Sequence, residues 1–216
     1  MKKYAFNHIT FEDLLSFVDI RQFSDDEQAF ESWFSFQYDL SEKELDFLNK
    51  LIKRTLRSID YYSEEELKAK AIIPLLNQVD FQTDSVQDWY ERPLRAVINQ
   101  VLLNGKTDYM IASGVENPQK PYFFIQEYKK ILGDNHPKNP LFAEMMAAIE
   151  NNQQNKLYGA FVIGRFWKFA IVEKLKDWEY NAYISKDFIF TDLNHLKSIY
   201  KNLQFIKQNI LQGKVA

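Results

Sequence analysis

Two residues, Glu127 and Lys129, stand two apart in the apolar segment Tyr122 to Lys129, Tyr-Phe-Phe-Ile-Gln-Glu-Tyr-Lys. Side chains alternate between the faces of a strand, so both project from one face and Tyr128 from the other. Phe123 and Ile125 extend the Glu127 face upstream. A carboxylate and an ammonium ending such a row are partly desolvated, which is costly unless they serve each other or a ligand. Asp108 lies on the preceding strand-like segment. If the two strands pair, Asp108 and Glu127 converge on one hard cation. Mg²⁺ (or Mn²⁺) suits two carboxylates completed by water, phosphate oxygens and the Tyr128 backbone carbonyl. Such an ion lowers the pKa of bound water and offsets charge on a phosphate in flight. Lys129 then fits orienting the attacking water and stabilising the transition state better than acting as a general base.

The elements that must position these residues are read from periodicity. The first sixty residues read as helices: Thr10 to Val18 has helical spacing, and Ser41 with Glu44 is a capping box opening a run striped by Leu45, Leu48, Leu51, Ile52, Leu56 and Ile59. Ser63 with Glu66 opens a second helix carrying Leu67, Ala71, Leu75 and Leu76, in which Pro74 predicts a kink or an early end. Residues 94–103 fit a strand or a helix, and the Asn104-Gly105 turn that follows favours the strand; a short apolar segment from Thr107 to Ala112 comes next. Ser113 to Pro121 and Gly133 to Pro140 read as loops. A helix spans Leu141 to Asn151, strands span Leu157 to Ile163 and Phe166 to Val172, a strand lies near Tyr180 to Ile189, and a helix runs from Asp192 to about Leu211. The stretch from the Tyr122 strand through the 141–151 helix to the Leu157 strand has the length of a parallel crossover. The expected class is α/β, with a mixed central sheet flanked by helices and a helical N-terminal extension.

At this point the sequence resembles a family. Gly105 to Ile111 (Gly-Lys-Thr-Asp-Tyr-Met-Ile) followed by Phe124 to Lys130 (Phe-Ile-Gln-Glu-Tyr-Lys-Lys) is similar to the split signature of PD-(D/E)XK nucleases. More narrowly, it resembles the N-terminal nuclease domain of type I restriction enzyme motor subunits and its stand-alone relatives. Ser63-Glu64 ahead of Pro74-Leu75-Leu76 looks like the family's glutamate-bearing helix, and Leu157 to Phe169 like its closing strand pair. The resemblance covers roughly residues 60–175. It implies a restriction-endonuclease-like domain over 61–216 behind an extension of residues 1–60, with Asp108, Glu127, Lys129 and Glu64 catalytic. It also implies Mg²⁺-dependent hydrolysis of DNA in restriction, defence or DNA processing, with a homodimer or partner subunits. Two positions depart from the pattern: Thr107 replaces a proline, and Glu144 stands where the family often has a glutamine.

Plainer readings exist for each residue. Asp108 can close a turn, Glu127 and Lys129 can form a cross-strand ion pair, and Glu64, Glu65 and Glu66 all favour a helix start by charge alone. A second acid-x-Lys triplet, Glu66-Leu67-Lys68, falls in a helix, where residues two apart do not share a face. His8, His136 and His195 have no metal-ligand spacing. Trp167 and Phe169 read as core rather than a base-stacking platform, and Lys197, Lys201 and Lys207 as a solvated helix face. A catalytically inactive module of the same fold, binding DNA or a protein partner, is the competing function.

Composition narrows the classes further. The 216 residues contain no cysteine, which excludes disulfides, thiolate metal sites and cysteine nucleophiles. Residues 1–50 carry eleven acids against five bases and the remainder nineteen against twenty-two, so an anionic ligand is favoured only on part of the surface. No apolar run spans a membrane or follows the N-terminal lysines as a signal peptide, and a cytoplasmic location is expected. No phosphate-binding loop or dinucleotide fingerprint is present.

Overall fold

The computed structural model describes residues 1–130 and 136–213. In chain order it contains β1 (Lys2–Ala5), α1 (Phe11–Leu15), β2 (Asp19–Ser24), α2 (Glu27–Phe34), α3 (Glu42–Thr55), α4 (Glu64–Leu67), a π-helical turn (Lys68–Ile72) and α5 (Ile73–Val79). These are followed by β3 (Val86–Ile98), β4 (Val101–Ser113), β5 (Gln119–Lys129), α6 (Lys138–Asn152), β6 (Lys156–Ile163), β7 (Phe166–Lys176), β8 (Glu179–Ile184), β9 (Phe188–Ile189) and α7 (Leu193–Leu211). The described residues form a mixed α/β structure around one sheet. Its order is β1-β4-β5-β6-β7-β8-β2, with β3 on β4 and β9 on β7.

The long strand β4 organises one side of the sheet. β3 pairs along it antiparallel, while its other edge receives β1 at Val101 to Asn104 and β5 at Tyr109 to Ser113. β5 then runs parallel to β6 with α6 between them, as the crossover length predicts. One apolar core, on α2, α3, α5 and α7, includes Trp33, Leu48, Leu75, Tyr128, Phe169 and Leu203. The other, under α1 and α6, includes Phe6, Leu14, Ile125, Met145, Met146 and Phe161. Trp167 and Phe169 are fully buried, as expected of core residues.

Several local expectations are corrected. The first sixty residues are not all helical: β1 pairs with β4 and β2 with β8, both parallel, and Phe6 and Trp33 enter the two cores. Residues 1–60 therefore build the sheet's flanks and cores rather than a helical extension apart from them. Neither strand has a strong local signal, since only Ile20 in β2 is buried. The β3–β4 turn falls at Asn99-Gln100, both at positive φ (45° and 63°), and Asn104-Gly105 lies inside β4. Positive φ at both central residues suits a two-residue hairpin. Gly105 serves a close approach instead: a Cβ there would come 2.7 Å from the Phe6 ring. Phe123 also leaves the face assigned to it. Ile111 pairs with Phe124 and Ala112 with Tyr122, so Phe123 is an extra residue that turns into the core opposite Ile125. The loop expected from Gly133 lies outside the described residues as far as 135, and α6 begins three residues before Leu141. The expected strand near Tyr180 to Ile189 is two, β8 and β9.

Both capping boxes form, at Ser41/Glu44 and Ser63/Glu66. Before Pro74 the helix widens by one residue per turn, and the Ile73 N–H reaches the Lys68 carbonyl. Proline cannot donate in a helix and clashes with the preceding turn, and the wider turn precedes it without ending the helix. Lys207, expected on a solvated face, donates to the Val79 carbonyl at 2.8 Å and closes the end of α5. No helix among the described residues is long and apolar enough to cross a membrane.

Glu44 does more than cap α3. Its Oε1 accepts from the Tyr38 hydroxyl (2.7 Å) and the Tyr200 hydroxyl (2.8 Å), and its Oε2 from the Ser41 N–H and hydroxyl (both 2.7 Å). Burial alone would raise its pKa, but these bonds outweigh it and lower the value to about 2. Because the folded pKa is depressed, this stabilisation is present above the ordinary value of 4.5 and is lost as pH falls through 2. Glu44→Ala is expected to cost about 2 kcal/mol by urea unfolding at pH 7. The variant should also flatten the acid limb of the stability curve between those two values.

Candidate active site

The β4–β5 pairing sets Tyr109 opposite Gln126, which brings the next residues, Asp108 and Glu127, together. Two side-chain to main-chain bonds cross between the strands here. The Asp108 N–H donates to Glu127 Oε1 at 3.2 Å, and the Tyr128 N–H donates to Asp108 Oδ2 at 2.9 Å. The two acids expected to converge do so, each accepting from a main-chain N–H of the opposite strand. Tyr128 turns to the opposite core, as strand alternation requires.

Glu127 is only 6% exposed, and Glu144 on α6 is 1% exposed. α6 packs its whole middle against the sheet, so Glu144 is driven into the layer by the apolar residues around it rather than by any affinity of its own. Neither Glu144 carboxyl oxygen meets a donor, and the Glu127 carboxyl is the group with which it can share a proton. Burial first, then the neighbouring Glu127 charge, push its pKa well up. For Glu127 burial and the Asp108 charge raise the pKa, partly offset by the Asp108 N–H, by Glu144 and by Lys129. Two adjacent buried acids without a cation of their own hold protons that water would remove.

Cations approach from the other direction. Lys129, more than a third exposed, has its Nζ 3.6 Å from Glu64 Oε2. Glu64 is thus the acid of its triplet that reaches the site, while Glu66 caps Ser63 and pairs with Lys70 at 2.5 Å. Glu65 is exposed. Lys68, which sequence spacing separates from the site, enters it: its Nζ lies 3.2 Å from Asp108 Oδ1, 3.4 Å from Glu91 Oε1 and 3.7 Å from Glu64 Oε1. Burial opposes the Lys68 charge, but Asp108, Glu64 and Glu91 outweigh it and raise its pKa. Glu91, on β3 across from Asp108, sits at φ 51°, a conformation rare for a side chain of its size. Sequence reading missed Glu91 and Lys68; the positive φ has no sequence signal, and Lys68 was masked by its helical spacing. The histidines stay apart: His195 accepts from the Ile189 N–H on the β9 side, and His136 accepts from the Lys138 N–H.

Chemically, the site offers two acids each anchored to the main chain of the opposite strand, an exposed lysine, and a buried acid whose oxygens meet no donor. Among the described residues no three acidic or histidine side chains form a ready-made metal cage. The orphaned Glu144 oxygens behind Glu127 nevertheless fit a cation better than they fit a closed apolar layer. No protein-family model matches the chain, and no curated protein matches it.

Because the folded pKa of Glu144 is raised, its contribution to stability is full below the ordinary value of 4.5 and declines as pH rises above it. Glu144→Gln keeps the shape and removes the titration. In EDTA at pH 8 the variant is expected to melt several degrees higher than the parent. A thermal melt series from pH 5 to 8 checks it, with a shallower slope expected for the variant.

Proposed function

We propose that the protein is a metal-dependent nuclease of the PD-(D/E)XK type, with a restriction-endonuclease-like fold, acting on phosphodiester bonds of DNA. The observation that carries this reading is the convergence of Asp108 and Glu127 at the end of paired strands, each bonded to the opposite strand's main chain, with Lys129 at the exposed side. The topology supports it through a mixed sheet whose β5–α6–β6 crossover follows the acid-x-Lys strand. Asp108, Glu127 and the Tyr128 carbonyl would hold Mg²⁺ or Mn²⁺. When bound, the ion supplies an activated water and offsets phosphate charge.

The chain's own residues do the rest. Asp108 and Glu127 fix the ligand oxygens, because each is bonded to backbone that the other strand holds rigid. Glu127 must be a carboxylate to take part, and a divalent charge beside it favours that form over the protonated one. Lys129 presents its ammonium at the mouth, where it orients water and stabilises charge on the scissile phosphate. Glu64, 3.6 Å away, positions that ammonium. The strongest support for the second reading, a binding module of the same fold, is Lys68, whose ammonium already neutralises Asp108.

Cleavage of supercoiled and linear DNA with Mg²⁺ or Mn²⁺ tests the proposal. Asp108→Ala and Lys129→Ala, each with an unchanged circular dichroism spectrum, are expected to cut at least 100-fold more slowly, the scale of a lost transition-state charge. Cleavage by both variants at the parental rate would sink the nuclease reading. DNA binding without cleavage in the parent favours the binding module.

A further inference from the structure

The triplet Glu66-Leu67-Lys68 divides in the structure. Glu66 turns outward to Lys70, while Lys68 turns inward and is 12% exposed in its side chain. Its ammonium meets carboxylates from three elements: Asp108 of β4, Glu91 of β3 and Glu64 of α4. The Tyr128 ring, 5.5 Å from Nζ, adds a fourth favourable contact. The backbone at both ends of this arrangement is unusual. Lys68 opens the π-helical turn, and Glu91 adopts a left-handed conformation next to Asp108. Wide helical turns and such non-glycine residues concentrate where a side chain must be held at a functional position.

We infer that the Lys68 ammonium is a built-in cation that competes with a divalent metal for Asp108, so that the ion loads fully only when this lysine is drawn away. The inference rests on the metal-site reading of Asp108 and Glu127. Lys68 occupies one side of the Asp108 carboxylate at 3.2 Å, the group the ion needs. A positive charge at that distance in a partly desolvated site repels a second cation strongly. A phosphodiester arriving beside Lys129 offers the ammonium another anion to pair with. Substrate then raises metal affinity, and by reciprocity the metal raises substrate affinity. Between substrates Asp108 stays neutralised by the chain's own lysine.

The experiment is Mn²⁺ titration calorimetry at pH 7 on the full chain without DNA, for the parent, Lys68→Met, Lys68→Gln and Asp108→Ala. Both Lys68 variants are expected to bind Mn²⁺ at least tenfold more tightly than the parent, and Asp108→Ala not to bind it. Equal affinity in the parent and the Lys68 variants overturns the competition while leaving the metal site standing. No binding by the parent or by either Lys68 variant overturns the metal site, and the competition with it. Circular dichroism in EDTA and in Mn²⁺ covers the case of a variant that does not fold. A Lys68→Met chain that folds only with Mn²⁺ supports exchange of ammonium for metal, and one unfolded in both conditions counts against it.

Discussion

A pair of side-chain to main-chain bonds between two neighbouring strands underlies the site: the Asp108 N–H to Glu127 and the Tyr128 N–H to Asp108. The bond to Asp108, which is paired with Lys68, is charge-assisted, and such bonds are roughly twice as strong as neutral ones. The two bonds also fix register, since sliding one strand by a residue would move every side chain to the other face. With β4 and β5 held, β6 follows through the crossover helix, and β1 and β3 complete the two edges of β4. The extra residue at Phe123 absorbs the mismatch at the far end of the pair, leaving the Glu127 end regular.

The cost of this arrangement is buried charge. α6 brings Glu144 against Glu127, and the apolar residues of that helix leave Glu144 no route to water. A buried acid without a partner is held neutral or is compensated by a cation. On the opposite side the same difficulty is met by Lys68, which supplies a fixed positive charge to Asp108. The site is therefore asymmetric: one acid is neutralised by a lysine, and a pair of acids is left to protons or to an ion.

The helical layers act as the support. Glu44 ties α3 to α7 through Tyr200, and Lys207 ties α7 to the end of α5. α5 continues directly from the π-helical turn that carries Lys68, so the anchoring of α7 bears on where that lysine sits. Packed helices with satisfied ends transmit little freedom to the residues they present.

Local pattern alone determined much of this protein. Alternation in Tyr122 to Lys129 set Glu127 and Lys129 apart from Tyr128, the two capping boxes marked α3 and α4, and the helix length between two apolar runs implied a parallel crossover. These features depend on residues within a few positions of one another, where periodicity and hydrogen-bond chemistry act directly. Only the tertiary structure decided that β1 and β2 join the sheet, that Gly105 makes room for Phe6, and that Lys68, Glu91 and Glu144 enter the site. Lys68 is forty residues from Asp108, and Glu144 lies on a helix whose face is set by what it covers. Which side chains meet across such separations follows from how the layers stack and what their burial leaves unpaired, and no short window of sequence contains that information.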